Sequence, residues 1–218
     1  MDLKGKSAVF LGDSITAGAC ADSPEHIYYA VLKDLLGLKQ SEGEGVGGTR
    51  IAKQKTPSEC EIYDHDFIER FDKVDKNADY LFIFGGTNDF GHGDSEFGDA
   101  ASEDPYTFQG ALNVLYTKAE KAFGAEHVVI MMPLRRTGMN NPRGEGRRVI
   151  ECPPLSEYAK AEKAAAERFG FKVIDLFNEP RLDPNDEKCA AFFADGLHPT
   201  TEGHRLLAEI LAERIKAL

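Results

Sequence analysis

Three short segments of this sequence carry side chains that could make and break an acyl bond. Gly12-Asp13-Ser14-Ile15-Thr16 offers a serine hydroxyl directly after an apolar run, Ala8 to Leu11. A hydroxyl at the end of a buried strand can serve as a nucleophile, provided a base lies within reach. Asp195-Gly196-Leu197-His198-Pro199 supplies such a base, with a carboxylate three residues before an imidazole and so able to orient it. Gly85-Gly86-Thr87-Asn88-Asp89 follows a second apolar run, Tyr80 to Phe84, and its Asn88 amide could donate to a developing oxyanion.

Each segment also has an ordinary reading. Serines in such loops commonly cap the next helix, and Gly-Gly turns use Asn and Asp to support the backbone. Five further histidines, His26, His65, His92, His127 and His204, read as surface or packing residues. It is the combination that carries weight. Nucleophile, acid and base in the order Ser, Asp, His, with an amide after a middle strand, complete the set of parts that acyl transfer needs.

These parts must be held by a framework of strands and helices. Apolar runs at Ala8 to Leu11, Tyr80 to Phe84, His127 to Met132 and Val173 to Leu176 read as buried strands. Helical spacing appears over Ile27 to Leu36, Phe67 to Val74, Phe108 to Phe123, Leu155 to Phe169 and Thr201 to Ala217. Ser23-Pro24-Glu25 reads as the N-cap of the first helix and Gly37 as its stop. The least marked strand is expected around Leu38 to Glu42, while Ser41 to Gly48 and Asp94 to Asp104 read as loops. Strands alternating with helices predict a mostly parallel sheet covered on both faces, with its ligand crevice beyond the carboxyl ends of the strands.

Composition narrows the remaining classes. The 218 residues, 42% hydrophobic and without a linker-like stretch, are read as a single domain over 1–218. Cys20, Cys60, Cys152 and Cys189 show neither metal-site nor disulfide-framework spacing, which fits a reducing compartment. No segment near the start is apolar for long enough to be a signal core or membrane span, so a soluble, cytoplasmic protein is expected. A net charge of -11 disfavours nucleic acid and anionic membrane surfaces as partners.

Gly12-Asp13-Ser14, Gly47-Gly48, Gly85-Gly86-Thr87-Asn88-Asp89 and Asp195-Gly196-Leu197-His198-Pro199 together resemble the four blocks of SGNH (GDSL-like) hydrolases, spanning Gly12 to Pro199. The resemblance implies a flavodoxin-like three-layer α/β/α sandwich with a mostly parallel five-stranded sheet. It implies Ser14 as nucleophile, Asp195 and His198 as the rest of the triad, and an oxyanion hole from the Ser14 and Gly48 N–H groups and the Asn88 amide. It further implies ester hydrolysis with no metal and no organic cofactor. The second block departs from the pattern, since an Asn often found shortly before its glycine is replaced here by the run Gly43-Glu44-Gly45-Val46-Gly47-Gly48. Thr16 also rules out a Gly-x-Ser-x-Gly elbow. Among the family's substrates, a small carbohydrate bearing O-acetyl groups is the expected one, with lysophospholipids or thioesters of longer acyl chains as the alternative. Because the working base is a neutral imidazole, activity is expected to rise through about pH 6 to 7.

Other signals compete. Gly43 to Gly48 matches G-x-G-x-x-G, which would make the chain a nucleotide-binding module, but no apolar strand precedes it and Pro57 soon follows. Asp183-Pro184-Asn185-Asp186-Glu187 resembles a calcium loop with Lys188 where glycine is required. Arg135, Arg136, Arg143, Arg147 and Arg148 could hold an anionic substrate group, although a solvated loop is the simpler reading. Substrate-binding side chains and oligomeric state have no signature in the sequence. The Arg-rich loop and the stretch from Phe90 to Pro105 are expected to wall the cleft.

Overall fold

The computed structural model describes residues 1–141 and 148–218. Five strands, β1 (Ser7–Gly12), β2 (Gln40–Gly45), β3 (Tyr80–Phe84), β4 (Val128–Met131) and β5 (Lys172–Ile174), form one parallel sheet in the order β2-β1-β3-β4-β5. Among the described residues, six α-helices accompany it: α1 (Tyr28–Leu36), α2 (Phe67–Arg70), α3 (Thr87–Gly91), α4 (Phe108–Phe123), α5 (Leu155–Arg168) and α6 (Thr201–Ala217).

The three central strands are almost wholly buried, because helices cover both faces of the sheet. Side chains alternate across the pleat and feed two cores. Val9, Leu11, Leu81, Ile83, Val128 and Ile130 pack with Leu112 and Leu115 of α4 and Tyr158 and Ala165 of α5. Ala8, Phe10, Phe82, Phe84, Val129 and Met131 pack on the opposite face with Leu32 of α1 and Leu207 and Leu211 of α6. Truncating a fully buried leucine such as Leu211 to alanine would cost about 2–5 kcal/mol.

Three local expectations are corrected. The strand expected around Leu38 to Glu42 is β2, Gln40–Gly45, which runs on through residues read as a loop. It lies at the sheet edge with alternating exposure, so it lacks an apolar signature, and its glycines serve close packing. A Cβ on Gly43 would fall 2.3 Å from the Tyr29 ring, and one on Gly45 2.1 Å from the Ala17 backbone nitrogen. This edge-strand setting also excludes the dinucleotide fingerprint, which requires a turn opening a helix. Ser23 caps nothing with its side chain. Pro24–His26 forms a separate 3-10 turn, extended Ile27 follows it, and α1 begins at Tyr28. The expected helix Phe67 to Val74 is one α-turn continued by a 3-10 turn over Phe71–Lys73.

Strand order reverses between β1 and β3, the neighbouring pair whose crossovers run to opposite faces. In such sheets a ligand crevice opens at this switch point, beyond the carboxyl ends of the strands. Gly12 of β1 lies in register with Phe84 of β3, so the Ser14 and Asn88 segments leave the sheet side by side.

Candidate active site

Ser14 follows β1 by two residues. The tight exit requires Gly12, where a Cβ would sit 2.0 Å from Thr16 Oγ1. Asp13 is buried beneath Ser14 and accepts the Ile15 N–H at 3.0 Å. His198 arrives from the loop before α6, whose N-cap Thr200 accepts the Gly203 N–H. The two ends of the chain thus meet, with 2.9 Å between Ser14 Oγ and His198 Nε2.

Asp195 completes a hydrogen-bonded chain. Its Oδ2 lies 2.8 Å from His198 Nδ1, while Oδ1 accepts the backbone N–H groups of His198 at 2.8 Å and Leu197 at 3.0 Å. Partial burial opposes its ionisation, but these hydrogen bonds outweigh that and hold the carboxyl below its ordinary value. The Nδ1 contact to a carboxylate favours the tautomer with Nδ1–H, leaving the Nε2 lone pair facing the Ser14 hydroxyl.

Asn88 sits in the first turn of α3 and is buried. Its amide nitrogen donates to Thr49 O at 3.0 Å and has only a marginal contact, 3.5 Å, with Asp13 Oδ2. One amide hydrogen is therefore largely uncommitted. Gly48 adopts a left-handed backbone at φ 74, and a Cβ there would strike the Tyr63 ring at 2.2 Å, so only glycine fits. Among the described residues, neither the Ser14 nor the Gly48 N–H has a protein acceptor. Asp89 does support the backbone, accepting the Ile51 N–H at 2.9 Å and the Ala52 N–H at 2.8 Å.

Buried carboxylates crowd the floor. Burial pushes Asp13 up to about 6, against the opposing Ile15 N–H, His198 and Arg70. It pushes Asp89 to about 6 against the Ala52 and Ile51 N–H groups and Arg50 and Arg148. Burial also raises Glu162 of α5 well above its ordinary value, helped by the nearby Asp89 and Asp13. Glu162 explains Gly86, whose Cβ would lie 2.0 Å from its Oε1.

A cleft of about 1150 Å³ opens over Ser14, Gly48, Asn88 and His198. Its wall from Gly91 to Asp94 was expected, but the 56–63 segment was not. Pro57, Ile62 and Tyr63 line the cleft, and Tyr63 is tilted against His92 with ring centroids 5.3 Å apart. His92 is therefore a cleft residue rather than a bystander. Buried Arg50 anchors this wall by donating to Ser58 Oγ, Tyr63 O and Asp64 Oδ1. A composition of Thr, Pro, Ser and Glu ahead of a short apolar pair gave no sign of such a role.

The arginine loop differs from a solvated one. Arg136 and Arg148 are buried, and Arg136 lines the cleft. Arg148 donates to the carbonyls of Asp89 and Ser95. Arg135 pairs with Asp183 at 2.7 Å, which gives the calcium-like segment a structural partner. Arg143 and Arg147 lie outside the described residues. Among the described residues no group of three or more His, Cys, Asp or Glu could hold a metal ion, and no helix is long and apolar enough to cross a membrane. His204 is buried, stacked on Tyr28 and bonded to Ala19 O, apart from the serine.

A doubly wound parallel sheet of this order, with a Ser–His–Asp chain at its switch point, defines a three-layer α/β/α fold of the SGNH hydrolase class. The sequence matches the model of the GDSL-like lipase/acylhydrolase family over residues 10–206, and the chain belongs to that family. A solved protein from Lactobacillus plantarum is 25% identical, with TM-score 0.76 and 98% of each chain covered. A lipase/acylhydrolase from Enterococcus faecalis is 22% identical, TM-score 0.64, covering 97% of this chain and 96% of its own. An acetylxylan esterase from Geobacillus stearothermophilus is 19% identical, TM-score 0.65, covering 99% and 96%. No curated protein matches the sequence significantly. Family membership indicates an ester hydrolase, and the low identities carry the fold rather than a substrate.

Proposed function

We propose that the protein is a serine esterase that hydrolyses short acyl esters through an acyl-Ser14 intermediate, acting on O-acetyl groups of small carbohydrates. The observation that carries the reading is the continuous chain from Ser14 Oγ through His198 to Asp195. His198 Nε2 takes the Ser14 proton as Oγ bonds to the ester carbonyl carbon. The oxyanion is met by the N–H groups of Ser14 and Gly48 and by the Asn88 amide. Collapse breaks the ester C–O bond, with the proton passing from His198 to the departing alcohol. Water then attacks acyl-Ser14 with His198 again as base, releasing the acid. Asp195 keeps the imidazole oriented and stabilises its charged form.

The substrate half of the proposal is supported by the acetylxylan esterase among the structural relatives and by the polar cleft residues Thr56 and Asp94, which suit hydroxyl groups. A second reading, longer acyl chains such as those of lysophospholipids or thioesters, is favoured by the exposed Ile62, Tyr63 and Val149 at the cleft mouth. Hydrolysis of p-nitrophenyl acetate, butyrate and octanoate, beside acetate release from acetylated xylo-oligosaccharides, separates them. Preference for acetate with release from the sugars supports the first reading, and preference for octanoate replaces it with the second. Activity unchanged in Ser14→Ala would remove Ser14 from the mechanism, and no turnover by the wild type would leave a binding module.

A further inference from the structure

Arg70 closes α2 some distance along the chain from every residue of the proposed site, yet it is buried against that site's underside. Its Nη2 donates to Gly12 O and to Thr49 Oγ1, both at 2.9 Å, its Nη1 to Glu44 O at 2.8 Å, and its Nε to His65 O at 3.1 Å. The guanidinium also lies over the Phe67 ring, 4.7 Å from the centroid. A planar fork of five donors suits four acceptors spread in this way, whereas an ammonium cannot span them.

Two of the four acceptors, Gly12 O and Thr49 Oγ1, lead to the donors of the oxyanion hole. Gly12 O fixes the strand end two residues before the Ser14 N–H and also accepts the Val46 N–H at 3.2 Å. Thr49 Oγ1 spends its own hydrogen on Val46 O at 2.7 Å, which turns its lone pair to Arg70 and closes the turn that carries Gly48. Thr49 O in turn receives the Asn88 amide at 3.0 Å. One side chain therefore ties together the three segments from which the hole is built.

We propose that Arg70 is the positioning residue of the oxyanion hole, setting the spacing of the Ser14, Gly48 and Asn88 donors. It touches no reacting atom and acts through Gly12 and Thr49. This inference rests on the esterase reading above. A hole loosened by loss of this clamp stabilises the tetrahedral oxyanion less, while the ground-state ester binds as before.

The test uses Arg70→Lys, Thr49→Val and Thr49→Ser, with p-nitrophenyl acetate kinetics, thermal midpoints and inhibition by a methyl trifluoromethyl ketone. In that adduct Ser14 Oγ bonds to the carbonyl carbon, the carbonyl electron pair moves onto oxygen and the serine proton passes to His198, so its affinity reports the hole directly. Arg70→Lys is expected to lower kcat about 10- to 100-fold with KM nearly unchanged, a smaller effect than loss of a whole donor. Ketone affinity should weaken by the same factor. Thr49→Val should reproduce the pattern and Thr49→Ser should restore it. In an Asn88→Ala background the Arg70→Lys penalty should shrink, since coupled groups are non-additive. The inference is overturned by a variant that loses thermal stability but keeps kcat and ketone affinity, by a rise in KM alone, or by penalties that simply multiply with Asn88→Ala. If Arg70→Lys does not fold, an undiminished kcat in Thr49→Val overturns it equally. Absence of any p-nitrophenyl acetate turnover in the wild type instead overturns the esterase reading itself.

Discussion

Replacing Asp195 by asparagine should damage the enzyme more than replacing it by alanine. Asp195 Oδ1 accepts two backbone N–H groups, from His198 and Leu197, and Oδ2 faces His198 Nδ1. An asparagine must give its only oxygen to the two N–H groups, which turns its NH2 towards Nδ1. That enforces the tautomer with Nδ1 unprotonated and Nε2–H pointing at Ser14, where no base then exists. Escaping by rotating the amide leaves two N–H donors facing an NH2 group. At a partly exposed site this costs on the order of 2 kcal/mol, the low end for two unsatisfied donors. Loss of the carboxylate beside the imidazolium adds on the order of 2–3 kcal/mol, discounted because the Asp195 side chain is 55% exposed. The sum corresponds to about a 1,000-fold loss in kcat at about 1.4 kcal/mol per decade. Alanine removes the carboxylate but leaves the tautomer free, so its loss should be about 100-fold on the same scale. Steady-state hydrolysis of p-nitrophenyl acetate at about pH 8, where imidazole is neutral, with folding checked by circular dichroism, measures both. Asparagine as active as alanine, or more so, would refute the tautomer argument.

Three further outcomes are expected. Asn88→Ala should lower kcat about 100- to 1,000-fold with little change in KM, as for loss of one preorganised oxyanion donor; a KM effect alone would move Asn88 from the transition state to substrate binding. Gly48→Ala should lose most activity, because φ 74 strains a non-glycine residue and its Cβ displaces the Tyr63 ring; wild-type kcat in this variant would remove Gly48 from the hole. Glu179 is buried, and hydrogen bonds from Arg181, with a further one from Arg214, draw its carboxyl from 4.5 down to about 2. A depressed folded value contributes stability above pH 4.5 that is lost as pH falls through about 2. Glu179→Gln should therefore destabilise by about 2 kcal/mol at neutral pH, after allowance for the exposed arginines, and the gap to wild type should close on acidification. Urea titrations across that window measure it, and a gap constant with pH would contradict the ion-pair origin.

Much of the framework was legible because of where its pieces lie. β1, β3 and β4 are covered on both faces, so their sequences are unbroken apolar runs, and each reactive segment follows a strand end or precedes a helix cap. β2 was only faintly marked because an edge strand needs no apolar run, and its glycines answer to the Tyr29 ring and the Ala17 backbone, contacts made by other segments. Arg70 escaped for a related reason: an arginine ending a short helix reads as solvated, and no spacing reveals four oxygen acceptors converging on it. Arg136 and Arg148 were read as a charged surface loop, yet Arg148 is buried because backbone carbonyls of Asp89 and Ser95 take the place of water. Tyr63 belongs to the cleft through its contact with Gly48, which only folding brings about.

The central claim is that Ser14 carries the acyl group. Rapid mixing of the protein with p-nitrophenyl acetate, quenching in acid and peptide mass analysis tests it most directly. The account predicts a burst of p-nitrophenol stoichiometric with enzyme and one acetyl group on the peptide containing Ser14, both absent in Ser14→Ala. Turnover in Ser14→Ala equal to wild type, or acetyl found on another residue on the catalytic timescale, would contradict it.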